Sequence, residues 1–181
     1  MTLRETTGYL KERCKEALFS ISKEDRDKLI DLIISKEKIF IYGSGRSGLI
    51  GQLFSVRLVQ MGLTVYFVGD MTTPIIEKND LTILISNTGR TVSVVQTAEI
   101  ARRIGSHVVS LTSSASSRLA QASDTAIVLN IEKNSTDSEL APLGTIFEDT
   151  VLFFFDCLVP DLMKKLNVSE EDMRKRHAIW V

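Results

Sequence analysis

The chain has few of the residues that build disulfide frameworks and metal centres. Its 181 residues include two cysteines and two histidines. Cys14 and Cys157 lie far apart, and neither belongs to a paired-cysteine motif, so we expect two reduced thiols. His107 and His177 are also far apart in the sequence and lack the spacing of zinc ligands. These shortages argue against a metalloprotein and against a secreted, disulfide-linked domain.

An excess of charge of one sign and long apolar runs are missing as well. The formal net charge is −1 and no basic block occurs, which argues against a nucleic-acid partner. No apolar run approaches the roughly 20 residues of a membrane span, and the first residues lack an apolar signal region. With 44% hydrophobic and 25% charged residues, we expect one soluble, cytoplasmic domain over residues 1–181.

What the sequence does contain is a regular alternation of strand and helix patterns. Five short apolar runs have the composition of buried strands. They occupy residues 38–42, 64–68, 81–85, 107–111 and 124–129. The alternation predicts an α/β fold, a three-layer α/β/α sandwich with a five-stranded parallel sheet of flavodoxin-like type.

The segments on either side of this alternating core, residues 36–132, are predicted to be helical. Residues 1–35 form two helices, and the second follows a capping pattern of Ser22 and Asp25. We expect this N-terminal layer to cover the sheet or a partner subunit. After a polar loop at residues 133–144, residues 145–181 contain a long apolar helix and a short one that Ser169 begins.

A polar turn at residues 86–91, with the sequence Ser-Asn-Thr-Gly-Arg-Thr, separates the third strand from its helix. A strand, a polar turn and a helix in succession direct free backbone N–H groups and the positive end of a helix dipole at one point. Such a point binds anions, above all phosphate. A simple helix cap needs one hydroxyl, and this turn offers several donors. The predicted phosphate-binding residues are Ser86, Asn87, Thr88, Gly89, Arg90 and Thr91.

A second polar turn, Gly-Ser-Gly-Arg-Ser-Gly at residues 43–48, follows the first strand. Its glycines also match dinucleotide-binding folds, with Asp70 as a candidate ribose contact. Because two such turns on parallel strands open at the same sheet edge, a small phosphorylated molecule between them fits better. The predicted contacts are Ser44, Gly45, Arg46 and Ser47. An arginine here can neutralise phosphate or stabilise an oxyanion, and a solvated side chain or a subunit salt bridge is the alternative.

Two ionisable residues near the C-terminus are candidates for acid–base chemistry. Glu148 lies in the first turn of the apolar helix, where the helix dipole alone would favour a carboxylate. Its apolar neighbours would raise the pKa of that carboxyl towards that of a working base. Both explanations stay open. His177 ends a helix, where the dipole favours it, and His107 opens a strand and is expected to be structural.

Together these motifs resemble the sugar isomerase (SIS) domain family and, within it, the 6-phospho-3-hexuloisomerases. The similarity rests on the two polar turns and on residues 72–74, 142–148 and 176–178, and it runs from about residue 36 to residue 178. Asn87 and Thr88 are variants of the usual pattern. The resemblance implies interconversion of D-arabino-hex-3-ulose 6-phosphate and D-fructose 6-phosphate in formaldehyde fixation, without metal or nucleotide.

The resemblance also implies roles for individual residues. Glu148 would be the proton acceptor, Ser47 and residues 86–91 would bind substrate, and the protein would be a homotetramer with active sites near subunit boundaries. Moving a carbonyl from C3 to C2 requires one base and a stabiliser of oxygen charge, which suits Glu148 and Arg46. Fructose 6-phosphate closes a ring through O5, so we consider His177, from the same or a neighbouring subunit, for ring opening. Another phosphosugar isomerase or a non-catalytic sugar-phosphate sensor is the alternative.

Overall fold

The computed structural model describes residues 2–177, and its sheet confirms the predicted α/β architecture. Five parallel strands in this range form one sheet in the order β2-β1-β3-β4-β5, the order of flavodoxin-like folds. The strands are β1 Ile39–Gly43, β2 Val65–Phe67, β3 Leu81–Ile85, β4 His107–Thr112 and β5 Thr125–Val128. Their limits agree with the predicted runs to within two residues at each end.

Helices precede, connect and follow these strands. The N-terminal pair is α1 Leu3–Phe19 and α2 Lys23–Ser35. The helices between strands are α3 Arg46–Gln60, α4 Val92–Ile104 and α5 Arg118–Gln121. The C-terminal part contains α6 Asp137–Leu140, a 3₁₀ turn at Pro142–Gly144, α7 Thr145–Leu166 and α8 Glu170–Lys175. Helix α6 lies in the segment predicted to be a polar loop.

One face of the sheet carries the larger part of the core. Alternate residues of the strands, such as Ile41 and Ile83, pack with apolar side chains of α2, α3 and α7. Phe54 of α3 stacks on Phe155 of α7 with ring centroids 4.0 Å apart. Helix α1 packs along α7. The N-terminal layer therefore packs on α7 of its own chain, and the expected contact with a partner subunit stays a prediction.

The opposite face has a thinner cover. Leu84 and Val108 point to this side and pack with Val94 and Ala98 of α4 and with Leu119 beside them. With helices on both faces of the sheet, the predicted three-layer sandwich is confirmed. Among the helices of residues 2–177, none is long and apolar enough to cross a bilayer.

The strand order places two polar turns side by side. Strands β1 and β3 are neighbours, and Gly43 at the end of β1 pairs with Ile85 at the end of β3. From this point the chain continues to β2 on one side and to β4 on the other, which is the switch point where α/β folds bind ligands. A Cβ atom on Gly48 would lie 2.4 Å from the carbonyl oxygen of Gly43, so glycine is needed for α3 to start this close to β1.

Candidate active site

The 86–91 turn has the shape of an anion site rather than of a capped helix. Ser86 Oγ and Thr91 Oγ1 lie 3.1 Å apart and bond each other, and Thr88 Oγ1 accepts the Arg90 N–H at 3.3 Å. Within the described residues no side chain caps α4, whose N-cap residue is Thr91. Gly89 has φ 59°, and a Cβ atom there would lie 2.2 Å from Ser117 Oγ. The N–H groups of the first turn of α4 therefore remain available to a ligand.

The turn after β1 is open in the same way. Gly45, with φ 61°, precedes α3, and no side-chain hydrogen bond from residues 2–177 caps that helix. Ser44, Gly45 and Arg46 are exposed. Ser47 is 8% exposed, and its hydroxyl makes no hydrogen bond with the described part of the chain. The structure thus brings the predicted residues of the two turns to one edge of the sheet.

Helix α7 begins at the same place. Its N-cap residue is Gly144, with φ 91°, and here too the described chain supplies no side-chain cap. A Cβ atom on Gly144 would lie 2.9 Å from Nδ2 of Asn87, so the start of α7 touches the 86–91 turn. We call the beginnings of α3, α4 and α7 the open N-termini. Their dipoles and backbone N–H groups give this corner a positive potential.

Glu148 and Arg46 form an ion pair between two of the open N-termini. Arg46 Nε donates to Glu148 Oε2 across 102 residues of sequence. The carboxylate side chain is 9% exposed and the guanidinium side chain 60% exposed. The hydrogen bond and the charge of Glu148 raise the pKa of Arg46 above its usual value. A shielded carboxylate is thereby held beside a cation that is exposed to solvent.

Asp149 is a neighbouring carboxyl that sequence reasoning overlooked. Burial raises its pKa, and the charge of Arg46 opposes that rise. The side chain lines a separate, largely apolar cavity with Cys14 and Phe153, between α1 and α7. Its position next to Glu148 on an otherwise apolar helix was the signal that could have drawn attention to it.

A cleft of about 320 Å³ lies beside the start of α7, the helix that carries Glu148. Its wall includes Asn87, Thr88, Ser113, Leu143, Gly144 and Phe147. Residues between 131 and 138 supply another part of the wall, and α1 contacts this segment. Tyr9 Oη donates to Asp137 Oδ1 at 2.7 Å, and Arg13 Nη2 lies 3.2 Å from Asp137 Oδ2. The N-terminal layer thus supports one wall of the cleft, a role that its sequence did not indicate.

His177 lies elsewhere in the same chain. It is exposed at the end of α8 and lines a cavity of about 360 Å³ with Leu53 and Gln60 of α3. Gln60 is about 20 Å along α3 from Ser47, at 1.5 Å rise per residue. Within one chain, His177 therefore lies far from Glu148. A role for His177 in the site of a neighbouring subunit stays a prediction. Ala178, part of the same motif, lies outside the described residues.

The SIS domain is the family to which this chain belongs, since the family's profile matches residues 32–147. The chain is 43% identical to the 3-hexulose-6-phosphate isomerase of Methanocaldococcus jannaschii, over 86% of this chain and 84% of that protein. It is 35% identical to the 3-hexulose-6-phosphate isomerase of Bacillus subtilis, over 96% of this chain and 98% of that one. The family resemblance predicted from the motifs is confirmed.

A solved structure shows the same fold. The crystal structure of a hypothetical protein from Methanococcus jannaschii, for which a molecular function of 3-hexulose-6-phosphate isomerase was inferred, has a TM-score of 0.87 to this chain. The two sequences are 38% identical, and the match covers 98% of this chain and 99% of the other. The range that matches the SIS family includes the glycine turn at residues 43–48, so this turn gives no separate support to the dinucleotide alternative.

Proposed function

We propose that this protein is an isomerase that interconverts D-arabino-hex-3-ulose 6-phosphate and D-fructose 6-phosphate. It would act in the cytoplasm, in the ribulose monophosphate pathway of formaldehyde fixation. Relatives that carry the name of this activity align over most of both chains. The observation that carries the proposal is the shielded Glu148 carboxylate, paired with the exposed Arg46 where the open N-termini meet.

The phosphate group binds at the 86–91 turn. The backbone N–H groups at the start of α4 and the hydroxyls of Ser86, Thr88 and Thr91 are donors suited to its oxygens. Ser47, whose hydroxyl is free of partners within residues 2–177, adds a donor from the neighbouring turn. Holding the phosphate fixes the carbon chain relative to Glu148, so that binding energy serves the reaction at C2 and C3.

Glu148 moves the proton between the two carbons. In the 3-ketose the carbonyl is at C3, and the hydrogen to be moved is on C2. Glu148 takes the C2 proton, the electron pair forms the C2–C3 double bond, and the C3 carbonyl oxygen gains the negative charge. Glu148 then returns the proton to C3, that oxygen is protonated, and the oxygen on C2 loses its proton and becomes the carbonyl. The hydrogen bond from Arg46 Nε holds the Glu148 side chain in place for this transfer.

Arg46 stabilises the enediolate. Its Nε–H is bonded to Glu148, and within the described chain no other bond is made by its guanidinium. The remaining N–H groups of this planar cation are free to reach an oxygen on C2 or C3. A cation beside the developing negative charge lowers the barrier for the step that Glu148 begins.

We further propose that the protein acts as a homo-oligomer, a tetramer by its family resemblance. Leu49, Leu53 and Val56 form an apolar stripe on α3 and are 61%, 56% and 56% exposed. Antiparallel pairing of this stripe with a second copy would place the partner subunit's His177 near Arg46, where it could open the fructose 6-phosphate ring. Replacing Leu53 with Glu should yield a smaller species in light scattering, and an unchanged mass would contradict this interface.

A coupled assay tests the activity itself. The purified protein is given D-arabino-hex-3-ulose 6-phosphate, and fructose 6-phosphate is detected through glucose 6-phosphate and its dehydrogenase. We expect turnover with this substrate. With arabinose 5-phosphate or sedoheptulose 7-phosphate, whose isomers the coupled enzymes do not detect, we expect no conversion when the sugar is followed directly by NMR. Binding of sugar phosphate without turnover of any of the three would instead identify a sensor.

A further inference from the structure

Ser113, the first residue after β4, makes close contacts with Asn87 of the 86–91 turn. Its hydroxyl lies 2.8 Å from Asn87 Oδ1 and 2.9 Å from the carbonyl oxygen of Asn87. The hydroxyl has one proton to donate, so one of the two oxygens must be its main acceptor. The other contacts of Asn87 decide which one it is.

The carbonyl oxygen of Asn87 already has two donors. The N–H of Ser113 donates to it at 2.9 Å, and Thr112 Oγ1 does so at 2.9 Å. These two bonds fill both lone pairs of the carbonyl. The proton of the Ser113 hydroxyl is therefore best used on Oδ1, which fixes the carboxamide with its oxygen towards β4.

The amide nitrogen then faces the start of α7. A Cβ atom on Gly144 would lie 2.9 Å from Asn87 Nδ2, and both residues line the cleft. Residues 2–177 supply no hydrogen-bond acceptor to the two Nδ2–H groups. Glu148 lies four residues after Gly144, about one helical turn further into α7. Two free donors thus stand between the phosphate-binding turn and the carboxylate base.

We propose that Ser113 is a positioning residue, which holds the Asn87 carboxamide so that its N–H groups bind an oxygen on the carbon chain of the substrate. This inference rests on the proposed function and extends it. The backbone of the turn and the start of α4 serve the phosphate, whereas the Asn87 side chain is directed away from them, towards α7. Recognition of the sugar and recognition of the phosphate are therefore separate tasks of one turn.

The experiment compares Ser113→Ala with Ser114→Ala in the coupled assay. Ser114 is a matched control, because its hydroxyl is in the same loop and bonds Ser116 at 3.4 Å. Loss of one orienting hydrogen bond should raise KM about three- to tenfold in Ser113→Ala, with kcat within about twofold. Ser114→Ala and Ser113→Thr, which keeps the hydroxyl, should behave as wild type. Inhibition by inorganic phosphate should be equal in all of them, because the phosphate donors are unchanged.

A double variant separates positioning from a general structural effect. In the Asn87→Ala background, Ser113→Ala should have no further effect on KM, because the group that it orients is gone. Additive effects of the two substitutions, or a KM in Ser113→Ala equal to that of wild type, would overturn the inference. A weaker inhibition by phosphate would do so as well, since it would place Asn87 at the phosphate.

The side-chain amide signals of Asn87 in a ¹H–¹⁵N spectrum give a readout that does not depend on turnover. They are assigned by their absence in Asn87→Ala. We expect them to move in Ser113→Ala and to stay in place in Ser114→Ala, and unmoved signals would overturn the proposed orientation. A wild-type protein without isomerase activity would refute the proposed function, while these spectra would still decide whether Ser113 holds Asn87.

Discussion

The helices of this protein begin in two different ways. Helices α1, α2, α5 and α8 follow Thr2, Ser22, Ser117 and Ser169, and each of these side chains accepts a hydrogen bond from the first turn. The open N-termini of α3, α4 and α7 have no such bond within the described chain, and neither has the short α6. Where a helix has only to be stable, the side chain of its N-cap residue accepts a hydrogen bond from one of the free N–H groups. Where open ends converge, we propose that those groups serve a ligand.

Thr91 shows that residue type does not decide between the two ways. It is a good N-cap residue by composition, yet its hydroxyl bonds Ser86 and leaves α4 open. Ser169 stands at the same position of α8 and caps it within a full capping box. The difference between them is the presence of a second hydroxyl across the turn, and the following substitutions test what that difference means.

The largest effect is expected for Glu148→Gln. The amide keeps the shape of the side chain and cannot accept a proton, so kcat should fall about 10²- to 10⁴-fold. The affinity for fructose 6-phosphate, measured by calorimetry, should stay within a few-fold of wild type. Asp172→Asn removes a first-turn carboxylate from the capped α8 and should leave kcat unchanged. Near wild-type turnover in Glu148→Gln would remove Glu148 as the base.

Next come Ser86→Ala and Thr91→Ala, which remove hydroxyls from an open end. Each should raise KM about tenfold, as expected for a lost hydrogen bond to a charged group. Ser169→Ala removes a hydroxyl from a capped end. It should cost about 1 kcal/mol of stability and about 2–4 °C in Tm, with KM unchanged. Unaltered substrate binding in both Ser86→Ala and Thr91→Ala would refute the phosphate site at this turn.

A pair of glycine substitutions gives a smaller effect. Gly144 and Gly62 have φ 91° and 92°, so alanine is strained at both and should cost about 1 kcal/mol in each. At Gly144 the new Cβ atom would also meet Asn87 Nδ2, whereas at Gly62 it would lie 3.3 Å from the side chain of Arg176. Gly144→Ala should therefore raise KM severalfold, and Gly62→Ala should not. Equal KM values in the two variants would show that the contact with Asn87 is unimportant.

The smallest effect concerns acid stability at a capped end. Hydrogen bonds from the Ser169 hydroxyl and backbone lower the pKa of Asp172. A carboxyl group whose pKa is lowered in the folded state stabilises that state at pH values above the pKa of the unfolded state. This contribution is lost as the pH falls through the folded-state pKa. Asp172→Asn should have a slightly lower Tm than wild type at pH 7, and the difference should shrink on acidification. A difference that grows with acidity would contradict the assigned bonds.

The fold could be predicted because its signals are local. A strand such as β3 is a five-residue apolar run, and a polar turn and a periodic helix follow it directly. Each element can therefore be recognised from a stretch of about 15 residues, and the alternation of elements limits the topology to a parallel sheet. Helix α6 was missed because its four residues, Asp137–Leu140, include no apolar stripe and no capping hydrogen bond within the described chain.

The site could be predicted only in part, because its residues meet through tertiary structure. Arg46 and Glu148 were each singled out from their own segments, but their pairing spans 102 residues and has no local signal. The contact of Ser113 with Asn87 spans 26 residues and depends on the adjacency of β3 and β4. His177 was selected because it belongs to a motif. In the structure it lies near the C-terminal end of α3, whereas Glu148 lies near the start of that helix.

The open N-termini have a consequence for the thermal stability of the protein. Without a ligand, the N–H groups of the open N-termini contribute less to the stability of the fold than those of the capped helices do. A bound sugar phosphate should therefore stabilise the folded state. At a sugar phosphate concentration 100 times its Kd, mass action alone adds about 2.7 kcal/mol to the folded state. The lifetime of this protein in a warm cell would then follow the metabolic supply of its own substrate.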